Sequence, residues 1–261
     1  MQGELCANTA RKYYSSLVKL FGPIQFSDVS EIKKEYIEQT IASRFKTKNE
    51  FSAAKNGLKY FKQCYPELQL PEEEYFKQCS MCKRNRSKKP KKRLSLKETR
   101  QKIAGIENEK LRLSYELAMA SGLRVSELSA LRKKDLNFTD DGGLNVTVTA
   151  GKGGSNGTVA CMKDPEMLRG LKEYVEKMAP DEKLFFSEAY MRRTADHAGF
   201  GCHDLRRIFA QRKRRELMQD MTAYEANAEV QKSLRHARFS TTKRYLFNRK
   251  LVFDDFEDEE V

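Results

Sequence analysis

The apolar positions change period along the chain, and the changes mark out its elements. Tyr13, Tyr14, Leu17, Leu20 and Phe21 recur at helix spacing, as do Val29, Ile32, Tyr36 and Ile37, so each set predicts one face of a helix. Thr47-Lys-Asn-Glu50 has the residue types of a capping box, and Phe51, Ala54, Leu58 and Phe61 follow it as a helical core stripe. Residues 1–82 therefore predict a small all-helical bundle with lysines on its outer faces. Ser95-Leu-Lys-Glu98 opens another helix. Residues 109–121 keep the helical period, and Ser121-Gly122 breaks it before Val125 to Leu131 resume. Asp140-Asp-Gly-Gly143 is a turn ahead of Leu144 to Thr149, whose alternation predicts a strand. Gly151 to Gly157 is a second turn, and Thr158 to Met162 reads as the returning strand. Asp164-Pro165-Glu166 starts a helix, with Pro at a permitted first-turn position and acids at the positive end of the dipole. The remainder is mainly helical. The predicted fold class is α+β, mostly helical, with an N-terminal helical domain and a mixed C-terminal domain built around a small antiparallel sheet.

Composition adds a partner. Of 261 residues, 39% are apolar and 33% charged, enough to bury a core in one large or two modest domains. Lys and Arg number 50 against 37 acids, a formal charge of +13. The last eight residues hold six carboxylates (Asp254, Asp255, Glu257, Asp258, Glu259, Glu260) and no base, so everything before them carries +19. A surface this positive repels itself unless a polyanion neutralises it, and nucleic acid is the commonest one. The densest run is Lys83 to Arg93, with eight bases in eleven residues: Lys83, Arg84, Arg86, Lys88, Lys89, Lys91, Lys92 and Arg93. It has no apolar residue to anchor it, so it reads as a solvated linker that contacts DNA phosphates. The expected organisation is a helical domain over 1–82, a basic linker over 83–93, a second domain over 94–253 and an acidic tail over 254–261.

The same reading excludes several classes. No run approaches the roughly eighteen apolar residues that cross a bilayer, and no N-terminal signal pattern is present, so a cytoplasmic location is expected, on the nucleoid if the host is prokaryotic. Six cysteines in a chain this long do not suggest a disulfide scaffold. Cys79 and Cys82 form one CxxC, with Cys64 fifteen residues upstream, but no His lies near to complete a zinc site. The cysteines read as ordinary thiols, and no metal or cofactor is expected.

Three strings carry unusual chemistry. Ser121-Gly-Leu-Arg124-Val-Ser-Glu127-Leu puts an arginine in a helix-to-helix turn, where solubility alone explains it poorly. His203-Asp-Leu-Arg206-Arg207-Ile-Phe-Ala places His203 and Arg206 on one helical face, with Leu205, Ile208 and Phe209 on the buried side. Leu234-Arg-His236-Ala-Arg-Phe-Ser-Thr-Thr-Lys-Arg-Tyr245 holds another of the chain's three histidines. Taken singly, each of these residues has an ordinary explanation as surface base, satisfied core histidine or packing tyrosine. Their order is the signal.

That order resembles the tyrosine recombinases, the phage integrases and Xer-type enzymes, whose pattern is Arg, His-x-x-Arg, His and a nucleophilic Tyr. The resemblance covers residues 95–250 through Arg124, His203, Arg206, His236 and Tyr245, and Lys152 stands on the expected hairpin turn in the right place in the order. One departure is Arg235, where the family usually has Gly; a side chain there would alter the turn or add a phosphate contact. The resemblance implies a core-DNA-binding domain ahead of a catalytic domain, clamped on double-stranded DNA. It implies a homo-tetramer acting on two sites through a Holliday junction, and a monomer or weak oligomer without DNA. The apolar residues between Leu246 and Phe256 would dock on a neighbouring protomer, with the acidic tail against a basic face of that partner or over the active site.

The chemistry calls for the same groups. Metal-free cleavage of a phosphodiester needs fixed cations over the non-bridging oxygens, where charge builds. Arg124 and Arg206 offer forked, permanently charged donors. A free phenol, with a pKa of about 10, needs a base and a positive field before it attacks. On this reading Tyr245 is the nucleophile, His203 its general base and His236 a hydrogen-bond donor to the phosphate. Lys152 is the acid for the leaving 5′-oxygen, and Glu127 orients a catalytic arginine or histidine. The implied function is site-specific recombination or integration through a 3′-phosphotyrosine, without ATP or Mg²⁺, of the kind carried by mobile genetic elements. A type IB topoisomerase-like enzyme and a catalytically inactive DNA-binding protein of the same fold are the competing readings.

Overall fold

The computed structural model of the chain describes residues 5–22, 24–83, 94–149 and 156–247. The chain divides into two compact units, Met1–Lys91 and Lys92–Val261. In the first, α1 (Ala7–Phe21), α2 (Lys34–Arg44), α3 (Lys48–Cys64) and α4 (Glu73–Cys82) enclose Leu20, Ile37, Ile41, Phe51, Leu58 and Phe76. Thr47 and Glu50 form the expected capping box, each side chain accepting the other's backbone N–H. Gly57 lets α3 approach α1 closely: a Cβ there would lie 3.3 Å from the Tyr13 carbonyl oxygen.

The span from Val29 to Ile37 differs from expectation. Asp28 accepts the Ser30 N–H and starts a single 3-10 turn, Val29–Glu31; Lys33 is extended, and α2 begins only at Lys34. Val29, Ile32 and Ile37 are buried all the same, so the apolar period reported burial and not helical continuity. On α1, Leu20 and Phe21 are buried while Tyr14 is 68% exposed, so the apolar stripe is narrower than its residue types suggest.

In the second unit α6 (Glu109–Ser121) is the axis. Nine of its thirteen residues are buried, as suits a helix in the middle of a core. Its buried serine hydroxyls, on Ser114 and Ser121, donate to carbonyls of their own helix at 2.6 Å. The helices α5 (Leu96–Ala104), α8 (Pro165–Glu176) and α10 (Cys202–Leu217) pack around it. The helix expected to run from Val125 to Leu131 is short: α7 spans Val125–Leu128, and the N–H groups of Ala130 and Leu131 bond three residues back.

The sheet is antiparallel in the order β1 (Leu136–Phe138), β2 (Leu144–Val148), β3 (Gly157–Ala160), with Val146 opposite both Leu136 and Val159. Leu144, Val146 and Val148 turn into the core on alternate positions. β1 was not predicted, because three residues are too few to display an alternation. β3 ends two residues early, since the Met162 N–H turns away to the Ala120 carbonyl at 2.8 Å. After the sheet come α8, α9 (Glu188–His197), α10, α11 (Ala223–Ser233) and α12 (Phe239–Leu246). Phe209, Val230, Leu234, Tyr245 and Leu246 form a small apolar cluster where the last three helices meet. The fold is α+β and mostly helical, with one three-stranded antiparallel sheet among the described residues.

Candidate active site

Three chain reversals bring the chemical strings together. The first is the end of α6. Gly122 adopts φ 63° as the C-cap, and a Cβ there would sit 2.3 Å from the Phe209 ring, so only glycine fits. The turn delivers Arg124 as the residue that caps α7. Its backbone N–H donates to Glu127 Oε2 at 2.7 Å, and its Nη1 donates to Oε1 at 2.7 Å. The Glu127 side chain is fully buried. Burial works to raise its pKa, but the Arg124 N–H, the charge of Arg235 and the guanidinium hydrogen bonds outweigh it and hold the carboxyl below its usual range.

The second reversal opens α10 and presents His203 and Arg206 on one face. Arg206 is only 1% exposed, the largest side chain so deeply buried. It donates to the Gly122 and Leu234 carbonyls and, at 3.2 Å, to His236 Nε2. It thereby ties the α6–α7 turn to the end of α11. Burial above all, and then Arg124, push its pKa down to about 10, so it stays charged at neutral pH. Arg207 points elsewhere and pairs with Asp204 at 2.6 Å.

The third reversal joins α11 to α12. The His236 N–H bonds the Gln231 carbonyl and the Arg235 N–H bonds the Lys232 carbonyl, a Schellman closure with Arg235 at the left-handed position, φ 50°. Because an arginine only donates, His236 Nε2 accepts from Arg206, and Nδ1–H then donates to Thr242 Oγ1 at 3.0 Å. Burial, followed by Arg206 and Arg124, pushes the His236 pKa down to about 4, so the imidazole is neutral. In the last turn of α12, Tyr245 is 8% exposed, and its hydroxyl lies 2.7 Å from His203 Nε2. Burial, Arg207 and Arg206 lower the His203 pKa as well.

Arg124, Glu127, His203, Arg206, His236 and Tyr245 thus converge on one site, although 121 residues separate Arg124 from Tyr245 in the chain. Lys152, expected beside them, lies outside the described residues, and so do Arg84, Arg86, Lys88, Lys89, Lys91, Lys92, Arg93 and the acidic tail. Lys83 belongs to the first unit, where its ammonium donates to the Ile41 and Ala42 carbonyls at 2.9 and 3.3 Å, near the negative end of α2. Among the described residues no group of three or more His, Cys, Asp and Glu is arranged to hold a metal, and no helix is long and apolar enough to cross a membrane.

Two members of the site escaped sequence reasoning. Thr242 is fully buried and sets the His236 tautomer; a Thr three residues from Tyr245 is a visible but weak signal. Arg235 stood out only as a departure from the expected pattern. Its Nη2 donates to Glu127 Oε2 at 2.6 Å, so one carboxylate is shared by two arginines.

The residue order read from the sequence thus meets in space, a tyrosine hydroxyl on a histidine beside a cluster of arginines, on a mostly helical domain with one small sheet. The chain belongs to the phage integrase family, whose family model matches residues 92–250. Among solved structures it is similar to a lambda integrase fragment crystallised as a dimer bound to a COC′ core site, at 19% identity and a TM-score of 0.66 over 99% of this chain and 95% of that one. The Tn1549 transposon integrase in complex with transposon right end DNA matches 97% of this chain and 93% of its own, at 14% identity and a TM-score of 0.63. The lambda integrase tetramer bound to a Holliday junction matches 97% of this chain and 75% of its own, at 18% identity and a TM-score of 0.66. At these identities the likeness is one of fold. No curated protein matches the chain.

Proposed function

We propose that the chain is a site-specific DNA recombinase that cuts and rejoins strands through a covalent bond between Tyr245 and a 3′-phosphate. The observation that carries this reading is the Tyr245 hydroxyl 2.7 Å from His203 Nε2, beside the guanidinium cluster. His203, neutral because its pKa is lowered, takes the phenolic proton through Nε2 as the oxygen attacks phosphorus. Arg124, the more exposed of the two expected arginines, meets the non-bridging oxygens, while Arg206 supplies its field from within the core. His236 donates to the phosphate only after its Nε2, freed from Arg206 as that guanidinium turns to the phosphate, takes a proton from solvent, which the nearby phosphate oxygen favours. The bond from phosphorus to the 5′-oxygen breaks, and Lys152 hands that oxygen its proton. Attack by another 5′-hydroxyl reverses the step. The phosphodiester energy is kept in the phosphotyrosine, so neither ATP nor Mg²⁺ enters the balance.

The partner is double-stranded DNA, with residues 1–82 as the core-binding domain, 84–93 tracking the phosphate backbone while Lys83 stays on the carbonyls of α2, and 94–253 as the catalytic domain. The similar integrases were captured on DNA, one as a tetramer on a Holliday junction, which supports a homo-tetramer on two sites for this chain. The tail over 254–261 then contacts a neighbouring protomer. The test is a nicked suicide duplex: the wild-type chain forms a covalent adduct without metal or ATP, the attached peptide contains Tyr245, and Y245F forms none. Failure of the wild-type chain to form the adduct would remove the enzymatic reading. Supercoil relaxation without exchange between two sites would replace it with topoisomerase-like activity.

A further inference from the structure

Arg235 is an expensive residue for its position. The Schellman closure at the end of α11 places it at φ 50°, a conformation that favours glycine and strains a long side chain. Its side chain is only 10% exposed, and Nε and Nη1 are buried without a hydrogen-bond partner among the described residues. Strain and unsatisfied donors of this kind persist where the surroundings hold them in place, and they cluster at functional sites. What holds Arg235 is the 2.6 Å contact of its Nη2 with Glu127 Oε2. The other oxygen, Oε1, takes Arg124 Nη1. One carboxylate therefore fixes two guanidinium groups, and with Arg206 the cluster sets three positive charges against one negative.

We propose that Arg235 is a positioning residue for strand cleavage: by clamping the second oxygen of Glu127 it fixes the carboxylate that aims Arg124, and it adds the charge that brings the cluster to the dianionic transition state of phosphoryl transfer. The inference rests on the strand-transfer reading above.

The test separates stability from rate. R235G relieves the left-handed strain and removes the clamp; R235M removes the clamp and keeps the strain; R235K keeps strain and charge but loses the fork. On a suicide duplex at saturating protein, single-turnover cleavage by R235G and R235M falls by about tenfold, with R235K between them and the wild type. Duplex Kd stays within about twofold, because Arg235 acts after binding. Melting temperature runs in a different order, with R235G above R235M because only the glycine relieves the left-handed strain. Cleavage by R235M and R235G within twofold of wild type would overturn the proposal. So would rates that fall in the same order as melting temperature, or R235K no faster than R235M.

A readout that needs no DNA keeps this separate from failure of the strand-transfer reading. His236 is faced by Arg206, Arg124, His203, Arg235 and the Tyr245 ring, 5.3 Å away. Its imidazole titration, followed by NMR, moves to higher pH in R235M. An unmoved titration would overturn the electrostatic part even if the wild-type chain cleaves nothing.

Discussion

The Tyr245 hydroxyl and His203 Nε2 stand 2.7 Å apart, with the ring centroids at 5.0 Å. This contact orders the chemistry in time, since the imidazole must be neutral before it can take the phenolic proton. Its pKa is lowered, by burial first and by Arg207 and Arg206 next. The acid limb of the cleavage rate therefore lies below the ordinary histidine value of about 6.5. Single-turnover cleavage is expected to be flat on the acid side of neutrality down to that value and to fall below it. H203A loses about 10²- to 10⁴-fold in rate, the usual contribution of a general base, with unchanged duplex affinity. A rate that still climbs steeply between pH 6.5 and 7.5 would assign the base elsewhere.

His236 makes a prediction about stability. Its pKa is pushed down to about 4, so the folded chain resists a proton that the unfolded chain accepts near 6.5. The sign follows: the stability is present above 6.5 and is lost as pH falls from there toward 4. The loss is on the order of 3 kcal/mol at the lower end. Urea denaturation at pH 7 and pH 5 shows it, and H236Q, with no titrating ring, shows a smaller loss over the same interval.

The site's chemical residues were legible because each sits in a string with its own local reason. His203 and Arg206 share a helical face, and Gly122 announces the reversal that presents Arg124. The periodicity also located the central helix and the β2–β3 hairpin. It failed where structure depends on partners distant in sequence. β1 exists because Leu136 and Phe138 pair with Val146 and Leu144, which three residues cannot reveal alone. The burial of Arg206 was equally invisible, since its acceptors are carbonyls 84 and 28 residues away. Arg235 read as a misfit until its partner, Glu127, was found 108 residues earlier.

Gly122 offers the sharpest steric prediction. Alanine would need φ 63° and would place its Cβ 2.3 Å from a Phe209 ring that is itself fully buried. The ring has nowhere to move, so backbone strain and overpacking add to about 3 kcal/mol or more. The Gly122 carbonyl also accepts from Arg206, and displacing the turn disturbs that anchor. G122A is expected to lower the melting temperature by several degrees and to reduce adduct formation. G142A is the control: that glycine also has positive φ, 73°, but open space around it, so it bears only the backbone cost.

Glu127 is the last and most severe case. Its carboxylate is fully buried and balances both Arg124 and Arg235. Removing one partner of a buried ion pair costs about 3–5 kcal/mol, because the charge left behind has no water to replace it. E127A strands two guanidinium groups, so its loss in urea denaturation falls at the upper end of that range. E127Q keeps the volume and one acceptor oxygen and loses less. The charge argument adds a distinguishing feature: sulfate or phosphate ions should stabilise E127A more than the wild-type chain, because in E127A they also take the carboxylate's place between the arginines. Equal stabilisation of both proteins by these anions would mean that Glu127 serves packing rather than charge balance.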